Sequence, residues 1–250
     1  MNDLETARIL FNEAKNLGLN PQWITEYGLF SINLDNTIRF VFYGISYLNS
    51  QISSYLCRNK HATRKVLDLF RLPNIPYALP ATDEEALFFL KKYKRIVVKP
   101  TVGSNSENVH LITEKSQLKN IDRATSIFEK YIEGREFRYL VLKNQVIAVH
   151  ERIFPGLLND PKVVKRISYP QNKWEKKLIA ISLKATQALG TKFAAVDFKI
   201  DKNENPYILE VNAAAGIKWF HYPSEGPSVN VANLLLTATI EELRDKNTMQ

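Results

Sequence analysis

The chain has 250 residues, a formal charge of +8 and a sequence pI of about 9.4, with 45% hydrophobic and 24% charged residues. That length and composition suit a globular protein of one large domain or two smaller ones, and no run of 18 apolar residues exists to form a helical membrane span. The polar, acidic start Met1-Asn2-Asp3-Leu4-Glu5 argues against a secretory signal and the single Cys57 excludes an internal disulfide, so a cytoplasmic protein is expected.

Ala7, Leu10, Phe11, Ala14 and Leu17 recur at helical spacing, and Gly18 stops that helix. Short extended runs are expected at 22–27, 29–34 and 38–43. Asn59 caps a basic helix from Lys60 to Phe70 that ends before Pro73. Thr82-Asp83-Glu84-Glu85 forms a capping box for a helix through Leu90. From Arg95 the chain turns strand-rich, at 95–99, 108–112, 126–131, 136–142 and 145–153. Trp174, Leu178, Ile181, Ala185 and Leu189 mark a long helix stopped by Gly190, and a last helix is expected over 228–246. Helices mixed with hairpin-paired strands predict α+β layers, not a doubly wound sheet.

Near the C-terminus, Val196-Asp197-Phe198 is followed, thirteen residues after Asp197, by Glu210-Val211-Asn212. A period of two puts Ala194, Val196, Phe198 and Ile200 on one face and Asp197 and Lys199 on the other. In the second strand, Tyr207, Leu209 and Val211 form the apolar face, with Ile208, Glu210 and Asn212 opposite. The polar segment 201–206 is a turn. Symmetric closure sets Asp197 across from Glu210, with Cβ atoms roughly 4.5–5.5 Å apart. Two carboxylates and a carboxamide that close suit a hard cation such as Mg²⁺ or Mn²⁺; a solvated hairpin with ordinary surface charges is the alternative.

The positive charge raises nucleic-acid binding as a question. Its clusters, Lys91-Lys92-Tyr93-Lys94-Arg95, Lys162 with Lys165-Arg166, and Lys173 with Lys176-Lys177, are scattered among acids without a nucleic-acid motif. Solvated faces and attraction of small anions fit them better. Lys99 ends a strand before Thr101-Val102-Gly103-Ser104-Asn105-Ser106, a small polar loop able to cradle phosphate; a surface lysine is the other reading. Neither the P-loop nor the GxGxxG pattern occurs. Segment 129–136, broken at Gly134, either offers backbone groups to an adenine edge and Glu136 to a ribose, or is a plain connector. Arg138 and Arg152, on adjacent strands, face a phosphate or carboxylate, or pair with Glu136 and Glu151. His221 lies in an aromatic loop that starts at Gly216, in a structural or a catalytic role; the four histidines lack zinc-site spacing. No nucleophile elbow or Cys/His pair argues for covalent hydrolysis.

Taken in order, these segments resemble the ATP-grasp superfamily. The matching elements are Asn59-Lys60 opening a helix, Val97-Val98-Lys99-Pro100 with its loop, Glu129-Lys130-Tyr131-Ile132 with Glu136, and Asp197 with Glu210-Val211-Asn212. The chain is most similar to the ATP-grasp module of cyanophycin synthetases and bifunctional glutathione synthetases. That likeness rests on Asn59-Lys60-His61-Ala62-Thr63-Arg64, on Val149-His150-Glu151-Arg152-Ile153-Phe154-Pro155, and on Glu210 to Gly216 running into His221 to Gly226.

The resemblance covers about residues 55–240 and implies an α+β ATP-grasp fold of two subdomains gripping ATP. It implies a shortened pre-ATP-grasp unit at 1–58 and an ATP-grasp domain at 59–250, with a phosphate-loop subdomain at about 75–128 and a metal-binding one at about 129–245. By the same resemblance Lys60, Lys99, Gly103 and Ser104 contact ATP phosphates, and Glu129, Lys130, Ile132 and Glu136 hold adenine and ribose. Asp197, Glu210 and Asn212 ligate Mg²⁺, with Mn²⁺ as a substitute. Arg138, Arg152, Gly216 and His221 meet the substrate, and Lys99 and Arg152 also act in catalysis.

The implied activity is ATP-dependent carboxylate–amine ligation on an amino acid or peptide through an acyl phosphate, releasing ADP and phosphate. A non-catalytic nucleotide-binding or regulatory module is the alternative, because Gly103 is the only glycine of the phosphate loop and Gly156-Leu157-Leu158-Asn159-Asp160 replaces a Gly-Asp-Gly stretch. Ala195 stands where D-alanine–D-alanine ligases place an arginine. The expected partner is the amino-acid or peptide substrate, not nucleic acid or membrane, with a homodimer left open.

Overall fold

A computed structural model describes residues 2–43, 47–103, 108–154 and 165–248. Helix α1 (Asn2–Asn16) buries Ala7, Leu10 and Ala14, and Gly18 turns the chain at φ +71° as expected. Strands β1 (Gln22–Trp23), β2 (Leu29–Leu34) and β3 (Thr37–Phe42) form a small antiparallel sheet in that order. The first run is shorter than expected, because Ile24 and Thr25 both donate their N–H to the Leu29 carbonyl and the chain turns.

Helix α2 (Gln51–Arg58) was not evident in the residue pattern. Ser50 caps it, its hydroxyl accepting from the Ser53 amide at 3.0 Å. Asn59 then serves both α2 and α3 (Lys60–Leu69). Its N–H closes α2 on the Tyr55 carbonyl, and its side chain accepts from the Ala62 amide at 3.0 Å.

Strand β4 (Tyr77–Ala78), helix α4 (Asp83–Tyr93) and strands β5 (Ile96–Pro100), β6 (His110–Ile112) and β7 (Ser126–Lys130) follow. The strands pair in the order β4-β7-β5-β6, and α4 packs Phe89 and Leu90 against Ile96, Val98 and Phe128. Only half of the expected capping box forms. Thr82 accepts from the Glu85 amide at 3.2 Å, but the Glu85 carboxylate reaches past the cap to the Ala81 amide at 2.7 Å.

The largest sheet contains β8 (Gly134–Leu142), β9 (Gln145–Ile153), β10 (Lys165–Ser168), β11 (Phe193–Asp201) and β12 (Pro206–Asn212), in the order β10-β9-β8-β11-β12. Helix α5 (Lys176–Ala188) covers one face, where Leu178 and Ala185 join Tyr139, Val149, Val196 and Phe198 in one core. At one end of the opposite face, Leu140, Ala148 and Ala195 share a core with α1, β2, α6 (Lys218–His221) and α7 (Val231–Thr248). No helix of the described residues is long and apolar enough to cross a membrane.

The β11–β12 hairpin departs from simple alternation. Phe198 pairs with Ile208 while Asp197 pairs with Glu210, so Leu209 is an extra residue. The cause is a tight turn: Asp201 Oδ1 accepts from the Asn203 and Asn205 amides, both at 2.9 Å, and pairing resumes at Ile200 with Pro206, one residue short of symmetry. The bulge restores that residue. In consequence Ile208 and Val211 share the α5-side core, and Leu209 does not carry the apolar alternation assigned to it.

Candidate active site

Beyond its apolar end, the open face of the large sheet carries two rows of paired residues. Ser168, His150, Arg138, Asp197 and Glu210 stand side by side across the five strands. Two positions along lies the second row, Arg166, Arg152, Glu136, Lys199 and Tyr207. Directly paired residues project to the same side of a sheet, so these charges meet.

Asp197 is 1% exposed and lies in a fork made by Arg138, with Nε at 2.6 Å from Oδ1 and a terminal nitrogen at 2.5 Å from Oδ2. Arg152 approaches the same carboxylate at 3.3 Å. Arg138 also stands 3.7 Å from Glu210, whose side chain is 40% exposed. The cation between the two expected neighbours is therefore a guanidinium. Burial pushes the Asp197 pKa up, but Arg138 and Arg152 outweigh it and hold the group below its ordinary value. Glu136, also buried, is met by Arg152 at 2.9 Å and Lys199 at 3.1 Å. An alternating chain results: Lys199, Glu136, Arg152, Asp197, Arg138, Glu210.

The four-stranded sheet supplies a second cluster. Glu129 on β7 is bound by Lys99 of β5 at 2.9 Å and by Arg64 of α3 at 3.0 Å. Desolvation opposes its charge, yet Arg64 and Lys99 hold its pKa down to about 2. Arg64 then reaches the other sheet, donating to the carbonyls of Ile208 at 2.6 Å and Leu209 at 2.7 Å. It thereby grips the bulge beside Glu210. Lys60, at the start of α3, donates through its amine to the Gly103 carbonyl at 3.0 Å and through its amide to the Thr101 carbonyl at 2.7 Å. Burial and the nearby Lys99 lower its pKa.

The remaining expected residues are less convergent. Ile132 is buried, and the Lys130 amide is already given to the Pro76 carbonyl at 2.8 Å. Gly134 approaches β11 so closely that a Cβ would stand 1.8 Å from the Ile200 carbonyl oxygen. Asn212 accepts from the Ala214 amide at 2.9 Å. Gly216 lies beside Thr6 of α1, whose hydroxyl is 3.3 Å from the Ile217 amide. The His221 Nε2 accepts from the Ala232 amide at 3.0 Å, so the ring serves the start of α7, and burial lowers its pKa. Ser104 and the 156–160 segment lie outside the described residues.

Pattern reading gave no role to Arg64, Lys199, Arg166 or His150. Arg64 belongs to a segment whose likeness was visible, but apart from Asn74 its side-chain partners lie 65 to 145 residues away. Lys199 shares Asp197's face by its two-residue spacing, and that was the available signal.

The candidate metal ligands are two carboxylates and a carboxamide, a hard oxygen set suited to Mg²⁺. Among the described residues no group of three or more His, Cys, Asp and Glu side chains could hold a metal.

A family model for the RimK-like ATP-grasp domain matches residues 53–238. The chain is 26% identical over 201 residues to a tetrahydromethanopterin:alpha-L-glutamate ligase from Methanocaldococcus jannaschii, covering 74% of this chain and 67% of that one. Its fold is like that of a bifunctional glutathione synthetase from Pasteurella multocida, with a TM-score of 0.71 at 15% identity over 95% of this chain. The ATP-grasp ligase PsnB, solved with a precursor variant, Mg and ADP, superposes with a TM-score of 0.61 at 18% identity over 78% of this chain and 62% of its own. The chain spans 44% of the synthetase, and 15% to 67% of the first curated relatives it matches. With its mixed antiparallel sheets and a domain match over most of its length, the chain belongs to the RimK-like ATP-grasp family.

Proposed function

We propose that the chain is an ATP-dependent carboxylate–amine ligase, forming an amide or peptide bond on an amino acid or peptide and releasing ADP and phosphate. The observation that supports this reading is that Arg64 ties Glu129, and through it Lys99, to the bulge next to Glu210, so groups from the two sheets are linked by one side chain. Residues 1–58 are read as a shortened pre-ATP-grasp unit, with the phosphate-loop part near 75–128 and the metal-binding part near 129–245.

In this reading Lys60 and Lys99 hold ATP phosphates over Gly103 and Ser104, while Glu129, Lys130, Ile132 and Glu136 hold adenine and ribose. Asp197, Glu210 and Asn212 would hold Mg²⁺, which when bound neutralises charge on the transferring phosphoryl group. A substrate carboxylate oxygen attacks the γ-phosphorus and ADP leaves. The amine then attacks the acyl carbon, loses its proton, and phosphate departs. Lys99 and Arg152 balance charge in both steps, and Arg138, Gly216 and His221 border the substrate.

Asp197 is engaged by two arginines, so Glu210 is the more informative probe. ADP release dependent on Mg²⁺ is expected over a panel of amino-acid pairs, with Glu210→Gln reducing it by about 100-fold or more while the unfolding midpoint is kept. Absence of Mg·ATP binding in calorimetry overturns the reading. The glycine-poor loop favours a second reading, a non-catalytic nucleotide-binding module; nucleotide binding without turnover across the panel would select it.

A further inference from the structure

The ligase reading makes no use of the small sheet, and that sheet ends in an unusual edge. Strand β3 is its last strand, pairing with β2 on one side only among the described residues. Ile38, Phe40 and Phe42 alternate along it, 65%, 51% and 37% exposed, while Val41 between them is buried in the core shared with α1. Their partners on β2 are Asn33, Ser31 and Leu29, so all six lie on the face turned away from that core. Natural edge strands are usually blunted by lysine, proline or a bulge. This one pairs with β2 without a register shift, and its single charge, Arg39, lies opposite Ile32 on the other face.

The backbone of the same three residues points outward. The Phe40 amide does not go to β2; it donates to the Tyr47 hydroxyl at 3.1 Å, whereas the Tyr43 amide turns inward to the Gly28 carbonyl at 3.4 Å. Hydrogen-bonding groups alternate sides along an antiparallel strand, so the amides and carbonyls of Ile38 and Phe42 face outward with those of Phe40. One edge therefore presents three donors, three acceptors and three apolar side chains in step. With Tyr47, 39% exposed, these side chains leave roughly 400 Å² uncovered, since an aromatic side chain offers about 150–250 Å². Monomers seldom expose a much larger apolar patch. It is about half of the roughly 800 Å² that each partner gives to a standard interface.

We propose that β3 is a self-association edge, through which two copies of the chain pair antiparallel about a twofold axis at Phe40. In that register Phe40 meets its own copy and Ile38 meets Phe42, so each outward amide faces a carbonyl and two three-stranded sheets become one of six. A second copy fits this edge better than a foreign strand for two reasons. The edge is its own complement at all three positions, as an isologous contact requires. The chain carries a charge of +8, yet Arg39 stands across from Val41 in this register, so no like charges meet directly. The modest area makes the dimer concentration-dependent, with a dissociation constant roughly in the micromolar range or weaker. Tyr47 acts as a guard, its hydroxyl holding the central amide until pairing displaces it. None of this depends on the ligase reading.

The test is sedimentation of the full chain from micromolar to several hundred micromolar, with amide hydrogen exchange followed over the same range. The mass should rise from one chain toward two, and the Ile38 and Phe42 amides should become protected as it does. Phe40→Lys and Ile38→Lys place a charge at exposed positions, so each should keep the wild-type unfolding temperature and weaken association by at least about tenfold. Tyr47→Phe keeps the ring and frees the Phe40 amide, and should tighten the dimer by about fivefold. A wild type that remains monomeric throughout overturns the proposal and leaves the edge to a strand of another protein. A dimer that both lysine variants form as well as the wild type overturns it too, as does one in which the Ile38 and Phe42 amides exchange at the monomer's rate.

Discussion

Glu129 shows what a single side chain contributes to this site and at what pH. Burial disfavours its charge, and only Arg64 and Lys99 keep it ionised, at a pKa of about 2 against an ordinary 4.5. A depressed carboxylate pKa stabilises the fold above the unfolded-state value, and that contribution disappears as pH falls from 4.5 toward 2. The shift corresponds to about 3 kcal/mol. Urea unfolding of the wild type should lose roughly that amount across the window. Glu129→Gln should be less stable at neutral pH but flatter in acid; an equal slope in both proteins would contradict the assignment. Asp197 and Glu210 were singled out in the sequence by strand period, and Lys99, Glu129 and Glu136 by local motif and family resemblance. Arg64, Arg166 and His150 were not, since their meaning comes from neighbours on other strands, which no local pattern encodes.

At the scale of elements, starts and stops were easier to read than irregularities. Gly18 and Gly190 end their helices at positive φ, and Asn59 caps α3 as its side-chain chemistry predicts. Helix α2 escaped notice because its polar first turn, Gln51-Ile52-Ser53-Ser54, shows little helical period before Asn59 interrupts it. The Leu209 bulge escaped too. The short turn at Asp201 forces it, and alternation rules assume an unbroken ladder. Asn59 permits a direct check at this scale. Asn59→Ala should cost about 1 kcal/mol in denaturant unfolding. It should also raise amide exchange at Ala62, whose N–H donates to the Asn59 side chain, and at Lys60, whose N–H donates to the Thr101 carbonyl.

For the molecule as a whole, the two larger sheets are joined by α3 and the segment after it. Asn74 bridges to Ile208, the Ile208 amide donates to the Pro73 carbonyl, and Arg64 spans from Glu129 to β12. Removing one member of a buried ion pair typically costs about 3–5 kcal/mol, because its partner stays buried and charged. Arg64→Met should therefore lower global stability by about 3 kcal/mol and weaken Mg·ATP binding together. A loss confined to stability would show that Arg64 is only a brace. The α+β layering and the β11–β12 hairpin were visible in the sequence, whereas the order of strands in the sheets and the sharing of one core by α1, the small sheet and α7 were not. Sequence period gives each face its polarity but says nothing of which distant face will cover it.

The chain from Lys199 to Glu210 contains three cations and three acids, linked in sequence by ion pairs of alternating sign. Such a row behaves as one electrostatic unit. Removing any interior charge leaves two neighbours of like sign facing each other in a poorly solvated place, so the loss spreads beyond the residue changed. Single substitutions along it will then be strongly non-additive, each reporting the row rather than its own residue. The row can be altered without collapse only by compensating pairs, and that restricts how this face of the sheet can evolve toward new substrates.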